Sequence, residues 1–151
     1  TERVGRFNKP SYIYKLRTKN GVDVGDQALQ SALRDTKVGA FLRKTRIDEL
    51  PQLLNVLRGD LSFIGPRPEM PALAKVYAEQ IPYYNARHYI QPGLSGWAQI
   101  NNNDAPRGGV DVERTITKLS YDLYYLKRHS IVLDIQIAIK TIATILMRTG
   151  S

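Results

Sequence analysis

A chain of 151 residues has room for one domain with a real core, and 42% hydrophobic against 24% charged residues excludes a disordered segment. Lys and Arg exceed Asp and Glu by 22 − 14 = 8, a balance that favours anionic partners (nucleotides, phosphorylated substrates, nucleic acid or an anionic membrane surface) without choosing among them. The lack of cysteine removes disulfides, thiolate nucleophiles and cysteine zinc sites, and two histidines nearly exclude a histidine metal cluster.

The charged opening, "TERVGRFNKP", reads as the middle of a longer chain, and no signal peptide or uninterrupted apolar run of membrane-spanning length occurs. "RVGRFNKPSYIYKLRT" predicts a β-hairpin turning at Asn8-Lys9-Pro10, with Tyr12, Tyr14 and Leu16 alternating against Ile13, Lys15 and Arg17. Residues 20–27 read as loop, and a helical pattern, whole or in pieces, runs from Ala28 to Thr45. A helix is expected to start at Asp48, where Leu50, Leu53, Leu54 and Leu57 form one apolar face and Pro51 occupies the first turn. Gly59 is its stop signal. "LSFI" reads as a short extended piece and "GPRPEMP" as a stiff loop. A helix over 69–80 follows, then loop and strand through "QPGLSGWAQI", then irregular chain over 102–110.

Two helices close the chain, over 111–128 and 131–148, with Ser130 as a cap between them. On the last one Asp134, Gln136, Lys140, Thr141, Thr144 and Arg148 gather opposite a wide face of Ile131, Ile135, Ala138, Ile139, Ile142, Ile145 and Leu146. That wheel favours a helix half-buried in the core, the alternative being an interfacial helix lying on a bilayer. Asp134 and Lys140 interrupt it too soon for a span. The fold class expected is α+β, mostly helical with a small β-hairpin or sheet.

The chemistry concentrates in "RKTRIDELPQLLNVLRGDLSFIGPRP", residues 43–68. Asp48 alone reads as a helix N-cap, because an acid in a first turn is stabilised by about 0.3–1 kcal/mol. A capping acid needs no Arg43, Lys44 and Arg46 just ahead of it, whereas a phosphate site needs cations and open helix N–H groups. The same surroundings keep a carboxylate ionised for nucleophilic attack. Adjacent helical residues point about 100° apart, so Asp48 and Glu49 suit divided labour better than a shared proton. One attacks phosphorus while the other holds a divalent metal, magnesium being the natural choice. Prolines on both sides of Arg67 leave a guanidinium projecting from a rigid frame, suited to bidentate phosphate binding.

Those residues, read together, resemble the core motif of the bacterial sugar transferases, the monotopic phosphoglycosyl transferases. "RVGRFNKPSYIYKLRT" is similar to the family's opening basic hairpin, and "RHYIQPGLSGWAQIN" to its Pro-Gly-Leu-Thr-Gly-Trp-Ala-Gln segment with Ser95 in the threonine place. "KLSYDLYYLKRHSIVLDIQIAIKTI" resembles its C-terminal helical pair. The likeness covers essentially the whole chain. It implies a single catalytic domain that transfers a sugar-1-phosphate from a UDP-sugar to undecaprenyl (polyprenyl) phosphate, releasing UMP and starting cell-surface glycan assembly. Asp48 is then the nucleophile that carries a phosphosugar, and Glu49 the residue associated with magnesium. Arg43 is assigned to phosphate, and Lys15, Arg17, Arg67, Arg87 and Gln99 to nucleotide or phosphate contact. The implied setting is an anionic membrane surface, at the cytoplasmic face of the bacterial inner membrane; a homo-oligomer stays open.

Two departures from the family pattern stand out. Members carry an upstream hydrophobic segment that enters the membrane and turns back, so this chain is read as the catalytic domain without its anchor. Asn102-Asn103-Asp104 replace the Gly-Arg of many members, the next basic residue being Arg107. Tyr121, Tyr124 and Tyr125 read as helix-face packing, and His88 as a structural histidine with a phosphate contact as its alternative. Asp122 reads either as a support of the site or as a solvated helix acid, and Trp97 either as a wedge in the fold or as a contact with the bilayer interface. The competing classes are a basic nucleic-acid-binding module, against which the acids interleaved with the cations weigh, and an inactive scaffold of a glycan-assembly complex.

Overall fold

A computed structural model describes residues 1–20, 36–101 and 109–149. The first part of the helical stretch expected over Ala28 to Thr45 (residues 28–35), most of the loop before it and the Asn102-Asn103-Asp104 departure with Arg107 lie outside the described residues.

The chain opens on a β-hairpin, β1 (Glu2–Val4) against β2 (Pro10–Tyr12), antiparallel with Val4 opposite Pro10. Pro10 therefore stands in the strand rather than in the turn; the connection is a tight turn over Arg6–Asn8 in which Phe7 and Asn8 take positive φ. Proline is tolerated there because, among the described residues, the hairpin sheet has two strands and β2 is an edge. Next come α1 (Lys37–Lys44), a single 3₁₀ turn at Ile47–Glu49 and α2 (Gln52–Arg58). Gly59 ends α2 in the left-handed conformation at φ 80°, the stop its sequence position predicts.

β3 (Ser62–Ile64) pairs in parallel with β4 (Gly93–Ser95), and between them lie α3 (Pro71–Gln80) and a 3₁₀ segment, Tyr84–Tyr89. The backbones meet so closely at this pair that a Cβ on Gly93 would sit 2.2 Å from the nitrogen of Gly65. A short α4 (Trp97–Ile100) leads to the long helices α5 (Val112–Arg128) and α6 (Ile131–Thr149). Asp111 caps α5 through the Arg114 N–H, and the Ser130 hydroxyl accepts the Leu133 N–H at the start of α6, as expected. The fold is mostly helical α+β, as predicted.

Two apolar clusters form the core. Val4, Ala74, Tyr77, Ile81, Tyr84 and Leu119 make the first; Tyr125, Leu133 and Ile137 make the second, with Ile64, Ile90, Trp97 and Ile100 packed around it. α5 runs through both, supplying Leu119 to one and Tyr125 to the other. Trp97 stacks on Tyr124 at 5.5 Å between ring centres, a packing role within the fold.

The apolar faces read from the sequence are not the buried ones. α6 turns Leu133, Ile137 and the half-buried Thr141 inward, the Thr141 hydroxyl meeting Ser95 at 2.6 Å. Ile131, Ile135, Ile139, Ile142, Ile145 and Leu146 face outward, which corrects the half-buried expectation for that face. α2 likewise leaves Leu53, Leu54 and Leu57 exposed, as is Leu50 just before it, and turns Asn55 inward. Among the described residues no helix is long and apolar enough to cross a membrane.

Candidate active site

The local chain path puts the acid pair where it is. After α1, Arg46 adopts a left-handed backbone at φ 61°, a conformation that costs a non-glycine residue roughly 1–2 kcal/mol. It breaks the helical path, and the 3₁₀ turn that follows buries Asp48 to 1% exposure. The helix expected to start at Asp48 starts at Gln52, with Pro51 at its cap position and no side-chain capping bond. Capping therefore does not account for Asp48. Its Oδ2 lies 3.0 Å from Lys15 Nζ, while its Oδ1 is buried without a hydrogen-bond partner. A buried carboxylate oxygen left without a donor is costly, and a catalytic role or a bound ion is among the reasons a fold keeps one.

Glu49 is ringed by cations. Its Oε1 lies 3.2 Å from Arg67 Nη2 and 3.4 Å from Lys15 Nζ, and its Oε2 lies 3.2 Å from Arg46 Nη1. Burial pushes its pKa up, but Arg67, then Lys15 and Arg46, outweigh that effect and hold it at about 2. The carboxylate is ionised across the neutral range. Lys15 thus bridges both acids from the segment after β2, where the Leu16 N–H also donates to the Asp48 carbonyl at 3.0 Å.

Arg67 arrives from the proline loop, which is fixed at three points. The Gly65 N–H donates to Ser95 O at 2.8 Å, the Gly93 N–H to Pro66 O at 3.0 Å, and Arg87 Nη2 to Arg67 O at 2.7 Å. Arg87, expected to touch phosphate, lies almost wholly buried beneath this loop. Its Nε donates to Asp122 Oδ2 at 2.8 Å and its Nη1 to the Tyr84 hydroxyl at 3.2 Å. Asp122 is correspondingly not a solvated helix acid. Beside it Lys118 Nζ pairs with Glu69 Oε2 at 2.9 Å, both side chains buried. His88 is buried too, its Nδ1 paired with Asn8 Oδ1; burial, then the neighbouring Arg87, pulls its pKa down to about 4.

The remaining expected residues are Arg43, Arg17 and Gln99. Arg43 is exposed in the last turn of α1, and Arg17 is exposed with its Nε donating to Lys19 O at 3.3 Å. Gln99 lies in α4, its Oε1 buried without a partner. Arg46 was read only as one of the flanking cations; its pairing with Glu49 is a short-range contact that i,i+3 spacing could have signalled. The Arg87–Asp122 and Lys118–Glu69 pairs had no such signal, because 35 and 49 residues separate their members.

Among the described residues no three His, Cys, Asp or Glu side chains gather into a metal cluster. Magnesium nevertheless fits the oxygens present, since it commonly binds through one or two carboxylates together with substrate phosphates. The ionised, partly exposed Glu49 carboxylate beside Asp48 is the donor that favours such a ligand.

Comparison with known proteins adds the following. Residues 1–148 match the family model described as "Bacterial sugar transferase". The chain is 45% identical over 152 residues to a UDP-N-acetylgalactosamine-undecaprenyl-phosphate N-acetylgalactosaminephosphotransferase of Aeromonas hydrophila, covering 99% of this chain and 35% of that protein. It is 41% identical to a UDP-glucose:undecaprenyl-phosphate glucose-1-phosphate transferase of Escherichia coli K12, over 93% of this chain and 30% of that one. A protein of the same name from Caulobacter vibrioides is 42% identical, over 95% of this chain and 54% of its own length. The chain thus spans between 30% and 54% of the length of these relatives. With a match over nearly all its residues, the chain belongs to the bacterial sugar transferase family.

Proposed function

We propose that this domain transfers a sugar-1-phosphate from a UDP-sugar to undecaprenyl phosphate in two steps, through a phosphosugar held on Asp48. The observation that carries the reading is the Asp48 carboxylate, buried with one oxygen on Lys15 and the other without a partner. In the first step Oδ1 attacks the sugar-bearing phosphorus of the donor. The bond from that phosphorus to the bridging oxygen breaks, and UMP leaves with the electron pair. In the second step a phosphate oxygen of undecaprenyl phosphate attacks the same phosphorus, the acyl phosphate bond breaks, and the Asp48 carboxylate is restored.

Lys15 keeps Oδ2 in place and offsets negative charge as the diphosphate approaches. Arg67 and Arg46, held by Glu49, add positive charge beside the reacting phosphate, and the exposed Arg43 and Arg17 extend that field outward. Glu49 would hold magnesium, which when bound would neutralise charge on the diphosphate oxygens. Gln99 is assigned to donor recognition and Arg87 to support of the Arg67 loop.

The acceptor is a lipid, so the domain works at a membrane surface, and a nucleotide-sugar donor suits the cytoplasmic face of the bacterial inner membrane. The outward leucines of α2 and isoleucines of α6, with a net charge of +8, support contact with anionic lipid. No observation favours the nucleic-acid or scaffold readings. The test is to incubate the chain with magnesium, undecaprenyl phosphate in detergent and a panel of UDP-sugars. UMP release and a phosphosugar adduct by intact mass are expected, and Asp48→Asn should lose both. Near wild-type turnover by a folded Asp48→Asn protein would sink the nucleophile assignment.

A further inference from the structure

We infer that Asn55 is a positioning residue: its side-chain amide stands in for a missing third strand and thereby sets Lys15 against the acid pair. The inference rests on the proposed function for its kinetic arm only. Asn55 is 0% exposed on a helix whose leucines face outward. A buried amide in that place must satisfy its polar groups, and it does. Its Nδ2 donates to Tyr12 O at 2.7 Å and to Asp60 Oδ2 at 3.2 Å, and its Oδ1 accepts the Tyr14 N–H at 2.9 Å.

The pattern of these bonds is that of a β ladder. On the side facing β1, Ile13 exchanges backbone bonds with Thr1, its N–H donating at 2.8 Å and its carbonyl accepting at 2.9 Å. Backbone groups alternate sides along an extended strand, so Tyr12, Tyr14 and Leu16 present theirs to the opposite edge. Among the described residues no strand of the hairpin sheet covers that edge. The Asn55 amide, which carries the same donor and acceptor as a peptide group, takes Tyr12 O and Tyr14 N; the Asp48 carbonyl takes Leu16 N at 3.0 Å. Lys15 is consequently pinned on both sides, by a side chain of α2 and by the main chain of the residue its Nζ approaches. A leucine at position 55 would fill the space but leave the Tyr12 carbonyl and the Tyr14 N–H without partners.

Two readouts test this with the full 151-residue chain. The first is a double-mutant cycle on kcat/KM for UMP release, in which Asn55→Ala is measured with Lys15 present and in a Lys15→Ala background. Misplacing a charged group by about 1 Å costs on the order of 100-fold, so a loss of that size is expected with Lys15 present. In the Lys15→Ala background the further loss should shrink to about twofold, because residues that act through one another are not additive. An equal loss in both backgrounds would overturn the inference, because a general structural defect does not depend on Lys15. The second readout needs no turnover: acylation of lysines by an amine-reactive reagent, followed by peptide mass spectrometry. Lys15 should label several-fold faster in Asn55→Ala, with Lys37 unchanged, as expected for release from a pinned position; unchanged Lys15 labelling would overturn the inference. Asn55→Ser, a smaller excision, goes through the same cycle so that a folded variant is available. A wild type that turns over no UDP-sugar would count against the proposed function, while the labelling arm would still decide the role of Asn55.

Discussion

Two charged clusters in this molecule use the same residue types to opposite ends. Asp48 and Glu49 face three cations, Lys15, Arg46 and Arg67, at 3.0–3.4 Å, and one Asp48 oxygen has no partner. A short distance beneath, joined to the first through the Arg67 carbonyl, Asp122 and Glu69 face two cations, Arg87 and Lys118, at 2.8 and 2.9 Å. The lower cluster is balanced in charge and shut away from solvent. The upper one carries a surplus positive charge and an unsatisfied oxygen. A buried pair that is complete holds structure in place; an incomplete one at a partly open surface is fit to receive an anion.

The comparison can be broken most directly by removing one acid from each cluster. Asp48→Asn should take UMP release to background while leaving the melting temperature nearly unchanged, because Oδ1 already lacks a partner. Asp122→Ala strands the Arg87 guanidinium and should destabilise the fold by about 3–5 kcal/mol. That corresponds to a fall in Tm of about 10 °C for a domain of this size. The reverse pattern, an unstable Asp48→Asn and a stable Asp122→Ala, would exchange the roles assigned to the two clusters.

Acid titration sharpens the same contrast with smaller effects. His88 has a folded pKa of about 4 against 6.5 for the free side chain. Between those values the unfolded chain binds the extra proton, so stability should fall as pH drops from about 6.5 to 4. Glu49 sits at about 2 against 4.5, which adds a second loss as pH falls from about 4.5 to 2. Urea melts at stepped pH should show both, and His88→Gln should flatten only the upper window.

The smallest effect on stability is expected on α6. Ile139 is 61% exposed and Ile137 is 0% exposed, two residues apart on one helix. Ile139→Glu should leave Tm within the roughly 0.5 kcal/mol range of surface changes but weaken flotation with vesicles of anionic lipid. Ile137→Glu should unfold the domain. Unchanged vesicle binding by Ile139→Glu would remove this face from the proposed membrane contact.

How much of this was legible from the sequence differs by residue. The Asp48-Glu49 pair with cations ahead of it and Arg67 locked between prolines marks the candidate site, because those signals lie within 26 consecutive residues. The helix at Asp48 was misplaced because the left-handed Arg46 and the 3₁₀ turn carry no glycine or other local flag. Arg87 matched a motif and was read as a phosphate ligand, yet its partner Asp122 stands 35 residues away and turns it into a strut. The leucines of α2 and isoleucines of α6 had the right period and the wrong direction. Periodicity identifies an apolar face but not what covers it.

The sequence alone determined the helical and strand segments, the helix stops, the acid pair and its cationic flank, since each depends on neighbours along the chain. Tertiary structure decided which oxygen of Asp48 is left without a partner, which arginine reaches the acids and which lies beneath them. It also chose Asn55 over the leucines as the inward residue of α2. Those outcomes depend on burial and on hydrogen bonds between groups tens of residues apart, and such energies are defined only once the chain has packed.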